Sequence, residues 1–362
     1  LMKQSLQILV SNRALPTKGI GSWTTRISKL NLNNAFFDYI LSPSSYNEKY
    51  LSCKKRKFIT WRKEVRGLNL KYWVAKEYIQ KIKLLSKRAN KITLVVIDDI
   101  HLLEALTLTK NSYKCSIEII FSFHGFELNL KHDVLHKIDK ILFLSQKGYE
   151  FSKNKYSKNF PKTIVVGNGV DSNIFFPLDE NEFAKQREKK GYNINDEILI
   201  WVANDRPKKG IHIFHNIIEE LLKNLPDLKV IIVGSNSIYN HPRVNNIGRI
   251  SNKEVAAYLK ISNYYIFTTF YDEGFGLSMI EALKCGNAVM ASNKGATPEV
   301  LSGLENVYLV EKINDPENWI EAFNLARKDT NFGKIRPNKT VTSKIWDYNN
   351  WEKKFIEAIN EN

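Results

Sequence analysis

Only three of the 362 residues are cysteines, Cys53, Cys115 and Cys285, and no CxxC pair or Cys/His spacing links them. That excludes a disulfide framework and a structural zinc site, and the expected compartment is reducing. Long apolar runs are missing too: no stretch approaches the roughly 18 uninterrupted apolar residues of a membrane span. The opening LMKQSLQILVSNRALP has too short an apolar core for a secretory signal and reads as a first strand. Repeats and low-complexity tracts are absent. Acidic residues are scarce, 38 Asp and Glu against 54 Lys and Arg, which leaves a net charge of +16. The imbalance is sharpest from Lys49 to Lys91, where 15 cations meet only Glu64 and Glu77. No RNP-type aromatic pattern, zinc finger or helix-turn-helix accompanies this charge, so nucleic acid is not the expected partner. Within the window, KYWVAKEYIQKIKLLSKRA (71–89) sets Tyr72, Val74, Ala75, Tyr78, Ile79, Ile82 and Leu85 at helical spacing. Such a helix either lies on an anionic membrane surface or packs on its own sheet with a solvated lysine face.

What is present is a regular alternation of apolar runs and longer amphipathic segments, the pattern of parallel sheets covered by helices. In the first half the expected strands are 6–11, 36–41, 92–97, 117–122, 140–144 and 163–166. Their nearly continuous hydrophobicity suits burial on both faces. LDENEFAKQREKKGYNINDE (178–197) then reads as a polar domain linker. A second series follows: strands at 198–203, 229–233, 246–247, 265–268, 288–291 and 307–309, with helices over 211–224, 253–261 and from Leu277. The length exceeds a usual single core, so two doubly wound α/β domains are expected, 1–175 and 176–342. Open α/β sheets bind ligands at the carboxyl ends of their strands, so the two domains should face across a cleft.

The segment EGFGLSMIEALKCGNAVMASNKGATPEV (273–300) sets Glu273 and Glu281 eight residues apart around a glycine-broken turn. Gly274 and Gly276 disfavour helix, whereas Leu277 to Lys284 can continue one. At ~1.5 Å rise per residue the carboxylates stand roughly 10–12 Å apart along the axis. A glycosidase pair needs ~5 Å or ~6.5–9.5 Å, so this spacing instead suits gripping the two ends of one elongated ligand. Between them the helix N-terminus, from Gly274 to Ser278, offers unpaired N–H groups to an anion such as a diphosphate. The structural alternative is an acid complementing the helix dipole beside a solvated Glu281.

Three other stretches add chemistry. WVANDRPKKGIHIF (201–214) places Arg206, Lys208 and Lys209 before a helix, where cations and dipole can neutralise a diphosphate leaving group. SNRALPTKGIGSWTTRISKL (11–30) puts Gly19 and Gly21 after the first strand; the spacing is not G-x-G-x-x-G, and close backbone approach to a sugar or phosphate is the preferred reading over a flexible loop. IIFSFHGFEL (119–128) ends a strand with His124, and Asp98, Asp99 and His101 end another; a lone DD pair is weak evidence for a metal.

The block 273–301 resembles the E-x7-E signature of the family 4 retaining glycosyltransferases, a GT-B-fold group that includes glycogen synthases and many bacterial lipopolysaccharide, capsule and lipid glycosyltransferases. The likeness extends to FHG, VVGNGVD, PKKG, VIIVGSN, NIGRISNKEVAAYL and DYNNWEKKFIEAI. The last is similar to the family's C-terminal helix, expected over 343–362, which crosses back to brace the first domain. The resemblance implies that Glu281 binds ribose hydroxyls. Glu273 would bind the transferred sugar, helped by the backbone at Gly274, Phe275, Gly276 and Leu277. Lys209 matches the diphosphate-binding lysine; the family arginine five positions earlier is Asn204 here, and Arg206 or Lys208 stands in. His124 matches the histidine near the anomeric carbon, Gly19 and Gly21 the phosphate loop, and Gly234, Arg249 and Ile250 the base and ribose contacts. The implied function is retaining transfer of a hexose or N-acetylhexosamine, without metal or other cofactor, from a nucleoside diphosphate sugar to a glycan or lipid-linked acceptor. A UDP-sugar is favoured and GDP-mannose second. The setting would be bacterial surface polysaccharide or lipopolysaccharide synthesis, in the cytoplasm and peripheral on the inner membrane face. The competing readings are a GT-B-fold epimerase or phosphorylase, and a non-catalytic basic binding protein.

Overall fold

A computed structural model describes residues 3–17, 22–56, 64–65, 68–156 and 160–361. The chain divides into two compact units: among the described residues, one runs to Gly167 and takes back the chain from Glu352, and the other is Asn168–Trp351. The division falls eight residues before the boundary expected at 175.

The first unit is built on seven parallel strands: β1 (Lys3–Val10), β2 (Tyr39–Ser42), β3 (Tyr50–Ser52), β4 (Ala89–Ile97), β5 (Ser116–Ser122), β6 (Lys140–Phe143) and β7 (Lys162–Val165). Their order is β3-β2-β1-β4-β5-β6-β7. The crossovers are α1 (Ser22–Asn34), α2 (Leu70–Val74), α3 (Lys76–Leu85), α4 (Ile100–Thr109), α5 (His132–Leu135) and α6 (Gln146–Tyr156). The apolar runs of the central strands, Ile8, Val10, Leu94, Val96, Ile119, Phe121 and Ile141 among them, are sealed against Tyr78, Ile79 and Ile82 of α3 and Leu102 and Leu106 of α4. The single helix expected over 71–89 is therefore two. Its second part packs on the unit's own core, while Tyr72, expected on the apolar face, is exposed.

The second unit has six parallel strands: β8 (Glu197–Val202), β9 (Leu228–Val233), β10 (Val244–Ile247), β11 (Tyr264–Phe267), β12 (Ala288–Ser292) and β13 (Val307–Val310), in the order β10-β9-β8-β11-β12-β13. Its helices are α7 (Glu180–Lys189), α8 (Ile211–Asn224), α9 (Asn252–Ile261), α10 (Leu277–Lys284), α11 (Thr297–Leu301), α12 (Pro316–Asp329) and α13 (Lys339–Ser343). Apolar faces of α8 (Phe214, Ile217, Ile218, Leu221) and α12 (Trp319, Phe323, Ala326) close over Leu199, Trp201, Val230, Ile232 and Ile266. The stretch read as a linker is corrected: it contains α7, capped by Asp179, whose side chain accepts from Glu182 N at 2.9 Å. From α7 the buried Arg187 reaches Ile261 O (2.9 Å), Ile194 O (2.8 Å), Asp196 O (2.7 Å) and Asn263 Oδ1 (2.6 Å). These bonds satisfy a guanidinium whose burial lowers its pKa to about 10.

The last helix, α14 (Tyr348–Asn360), begins in the second unit, and its later turns belong to the first. There Phe355, Ala358 and Ile359 are buried, and Gln7 Nε2 donates to Asn360 Oδ1 at 2.7 Å. The buried Lys140 ammonium donates to Ala358 O at 2.7 Å and also to Glu361 O. A cation at this terminus satisfies orphan carbonyls and complements the helix dipole.

Candidate functional site

The carboxyl end of β11 runs through Thr268–Gly276 into α10, which starts at Leu277 as expected. Gly276 fixes that start with φ 81°, a conformation that suits glycine, and an added Cβ would lie 2.5 Å from Met279 Cε. No side chain caps α10, so its first N–H groups remain available to a ligand. Glu273, in the loop, forms an ion pair with Lys209 and also receives the Thr269 hydroxyl at 3.1 Å. Both ionic groups are less than one-fifth exposed. The loop after β12 presses on this corner: Ala296 N donates to Glu273 O at 2.9 Å and Gly295 N to Asp272 Oδ1 at 3.0 Å. A Cβ on Gly295 would stand 2.6 Å from Glu273 N.

Lys209 is placed by the turn Pro207–Lys209 after β8. Gly210 ends that turn at φ 74°, so close to the β11 end that a Cβ would meet Thr268 O at 2.0 Å. Thr268 Oγ1 accepts from Trp201 Nε1 at 3.0 Å and donates to Lys209 O at 2.9 Å, and Phe270 N donates to Lys208 O at 2.8 Å. The basic loop is thus stitched to the loop that carries Glu273. The Lys208 ammonium lies 3.8 Å from the Tyr271 ring centroid, and burial lowers its pKa. Asn204 turns its Oδ1 back to Arg206 N at 3.2 Å, and the exposed Arg206 guanidinium makes no ion pair among the described residues.

Glu281 sits in the second turn of α10 and is only 5% exposed, so it is not the solvated residue of the structural alternative. The buried Tyr265 donates its hydroxyl to Ser278 Oγ at 2.8 Å. Burial raises its phenol pKa, and the negative charges of Glu281 and Glu273 add to that rise. Both glutamates therefore lie within electrostatic reach of one ring. At the end of β9, Gly234 (φ 87°) comes so near β8 that a Cβ would be 2.5 Å from Ala203 O. Asp205 holds the following loop, accepting from Asn236 N at 2.9 Å and from Ser235 Oγ. Arg249 and Ile250 follow β10, just before the Ser251–Glu254 capping box that starts α9. These segments share the carboxyl edge of one parallel sheet, where ligands of open α/β folds bind.

His124 belongs to the first unit, after β5. Its Nε2 shares a hydrogen bond with Ser122 Oγ at 3.2 Å, its ring is edge-on to Trp23 at 5.4 Å, and its backbone N–H donates to Asp98 Oδ1 at 3.0 Å. Burial, with help from Arg26, pushes its pKa down to about 3. Burial pushes Asp98 up to about 6. Asp99 caps α4 through Leu102 N at 2.8 Å and pairs with Lys55 Nζ at 2.6 Å. Gly19 and Gly21 lie outside the described residues.

Comparison with solved structures gives 14% identity and a TM-score of 0.74 with sucrose-phosphate synthase from Thermosynechococcus elongatus, over 98% of this chain and 97% of that one. Anabaena HepE in complex with UDP and glucose gives 14% and 0.73 over the whole of both chains. The fold is GT-B. Residues 182–339 match the family model described as glycosyl transferases group 1. A phosphatidyl-myo-inositol mannosyltransferase of Propionibacterium freudenreichii is 31% identical over 175 residues, 48% of this chain and 43% of the relative. Spore coat protein SA of Bacillus subtilis is 23% identical over 183 residues, 45% and 48%. The chain spans about half the length of the curated relatives it matches. The family model covers less than half of the chain, and lies within the second unit.

Within the second GT-B unit the structure gathers Lys208, Lys209, Glu273, the 274–277 backbone and Glu281 on adjacent strand ends. Sequence reasoning missed Asp205, Tyr265, Thr269, Tyr271 and Gly295. The Thr-Thr pair directly after a buried strand and the glycine of NKGA were the available signals; the Asp205 contact spans about thirty positions and left none.

Proposed function

We propose that the protein transfers a hexosyl or N-acetylhexosaminyl unit, with retention, from a nucleoside diphosphate sugar to a glycan or lipid-linked acceptor. The observation that carries this reading is the Lys209–Glu273 ion pair at the mouth of the uncapped helix α10, with Glu281 buried one turn further on. In it, Glu281 takes the ribose, the N–H groups of Phe275, Gly276 and Leu277 take the diphosphate, and Glu273 takes hydroxyls of the sugar. Lys209 neutralises the leaving group. Lys208, held over Tyr271, supplies the second cation that Asn204 does not, ahead of Arg206. Gly234, Arg249 and Ile250 border the nucleoside.

In the transfer step the bond from the anomeric carbon to the phosphate oxygen breaks and the acceptor oxygen bonds to the same face. The departing phosphate oxygen accepts the acceptor's proton. These ammonium and amide groups carry the leaving-group charge, so the reading requires no metal ion. His124, neutral at working pH, hydrogen-bonds to the sugar and does not supply a proton.

The UDP and glucose named with HepE favour a UDP-sugar, and the mannosyltransferase relatives keep GDP-mannose second. Among the described residues no helix is long and apolar enough to cross a membrane. Peripheral association with an anionic inner membrane face, in surface polysaccharide or lipopolysaccharide synthesis, is supported by α2 and α3. There Trp73 is 49% exposed, with Arg56 at 3.8 Å and Lys76 at 5.3 Å from its ring. Calorimetric titration with UDP and GDP tests donor binding, and NMR of the product's anomeric proton tests retention; an inverted linkage overturns it.

A further inference from the structure

The chain passes between the two units after Gly167 and again after Trp351. The residues just inside the second unit at these passages are bonded together. Val170 N donates to Trp346 O at 2.8 Å, Tyr348 N to Val170 O at 3.2 Å, and Ser172 Oγ to Asp347 Oδ1 at 2.8 Å. Trp346 sits in this junction at φ 40°, a conformation that persists for a bulky residue only where its surroundings over-determine it. Its indole N–H donates to Val300 O at 2.9 Å in α11, and its ring meets Phe275 edge-on at 4.9 Å.

Phe275 is the one residue between Gly274 and Gly276 with a side chain, and it is 2% exposed. Glycines on both sides leave the backbone free to sample many conformations unless that side chain is held. The other end of α10 is tied to the same segment. The three donors of the fully buried Lys284 ammonium are used by Thr342 O (3.1 Å), Ser343 O (3.2 Å) and Ile345 O (2.8 Å). Residues 342–346 therefore clamp both ends of the element that carries the Phe275–Leu277 amides and Glu281.

We propose that Trp346 is a positioning residue for donor binding: by holding Phe275 it fixes the backbone N–H groups of residues 275–277 for the diphosphate. The inference rests on the donor site proposed above. Preorganised amides bind an anion without a further ordering cost, so loosening them lowers affinity even though no donor contact is removed.

The test uses the full chain with Trp346→Leu, Trp346→Phe and, as a control, Trp319→Leu. Trp319, unlike the half-buried Trp346, is fully buried; it lies in α12, with its indole N–H on Ile313 O. UDP affinity is measured by calorimetry, thermal midpoints by circular dichroism, and amide exchange at 275–277 by hydrogen–deuterium exchange without ligand. Trp346→Leu is expected to weaken UDP binding about tenfold and to speed exchange at 275–277, while Trp346→Phe stays within about threefold of the parent. Trp319→Leu is expected to lower the midpoint at least as far and to leave affinity and local exchange unchanged. Parent-like binding by Trp346→Leu, or equal losses in the control, overturns the proposal. If the parent protein binds neither UDP nor GDP, the donor reading itself falls, and unchanged exchange at 275–277 separately overturns the role of Trp346. Should Trp346→Leu not fold, Phe275→Leu removes the other half of the ring contact and carries the same expectation.

Discussion

The strand ends of the two units share a topology and differ in electrostatics. In the second unit the carboxyl edge holds paired charges, Lys209 with Glu273, beside an uncapped helix. In the first, desolvation keeps His124 neutral, its pKa falling to about 3, and raises the Asp98 pKa to about 6, while Asp99 pairs with Lys55. An anionic diphosphate requires charge of the opposite sign at fixed positions, whereas an uncharged sugar ring is recognised by neutral hydrogen-bonding groups. On this argument the two edges have different tasks, and the sequence supplies lysines to one and a desolvated histidine to the other.

The largest effect expected from this contrast is at Lys209. Lys209→Met removes the leaving-group cation and leaves Glu273 without its ion-pair partner, so kcat/KM should fall about 10²–10³-fold. His124→Asn removes only a neutral hydrogen bond and should cost on the order of tenfold. Steady-state kinetics of both variants checks the ranking, and a larger loss at His124 than at Lys209 would reverse the assignment of tasks. Next is Gly210→Ala. The new Cβ would stand 2.0 Å from Thr268 O at a left-handed backbone position, so the stitch between the two loops must open. A loss of about 2–3 kcal/mol in urea unfolding is expected, together with weaker nucleotide binding. Unchanged stability would show that the charged edge is more plastic than the contacts imply.

Much of this edge was legible because its signals are local. Helix α10 begins at Leu277 and α8 spans Ile211–Asn224 as the periodicity predicts, since glycine punctuation and a 3.6-residue repeat act over a few positions. Glu273, Glu281 and Lys209 were readable for the same reason. The segment containing α7 was misread because an exposed helix rich in Glu and Lys resembles a linker. What anchors it is Arg187 reaching carbonyls as far away as Ile261, which no local pattern records. Asp205, Gly295 and Trp346 were likewise hidden: each acts through a partner more than twenty positions distant.

The muted edge makes its own prediction about pH. The folded Asp98 pKa, about 6, lies above the ordinary 3.8, so the unfolded chain releases this proton more readily. Its contribution to stability is full below pH 3.8 and is lost as pH rises through 6. At pH 7.5 the ionised carboxylate is a net cost, but its side chain reaches solvent, so screening discounts the effect and Asp98→Asn should stabilise by no more than about 1 kcal/mol. Asparagine can still accept from His124 N and tolerates the φ of 43°. At pH 4 the gain should nearly vanish. Urea midpoints at the two pH values decide the matter, and a gain independent of pH would mean that Asp98 is not desolvated. His124 runs the opposite way: its folded pKa lies below 6.5, so its contribution is present above pH 6.5 and is lost as pH falls through 3.

The smallest effect is also the one that resolves the charged edge most finely. Asn204 cannot supply a cation, and the two nearby candidates differ in how they are held. Lys208 rests over Tyr271, whereas the Arg206 side chain is exposed and the bonds of this residue are backbone ones, its N–H to Asn204 Oδ1 and its carbonyl from Lys209 N. An exposed ammonium–ring contact stabilises by about 0.5–1 kcal/mol, so Tyr271→Leu should weaken UDP binding only about two- to fivefold, with no change in thermal midpoint. Lys208→Met should weaken it further, and combining the two should add little, because the ring acts through the ammonium. Arg206→Met should be close to neutral. Calorimetry on this set separates the candidates: additive losses at 208 and 271, or a loss at Arg206 exceeding that at Lys208, would move the second cation to the arginine and leave Tyr271 to another part of the ligand.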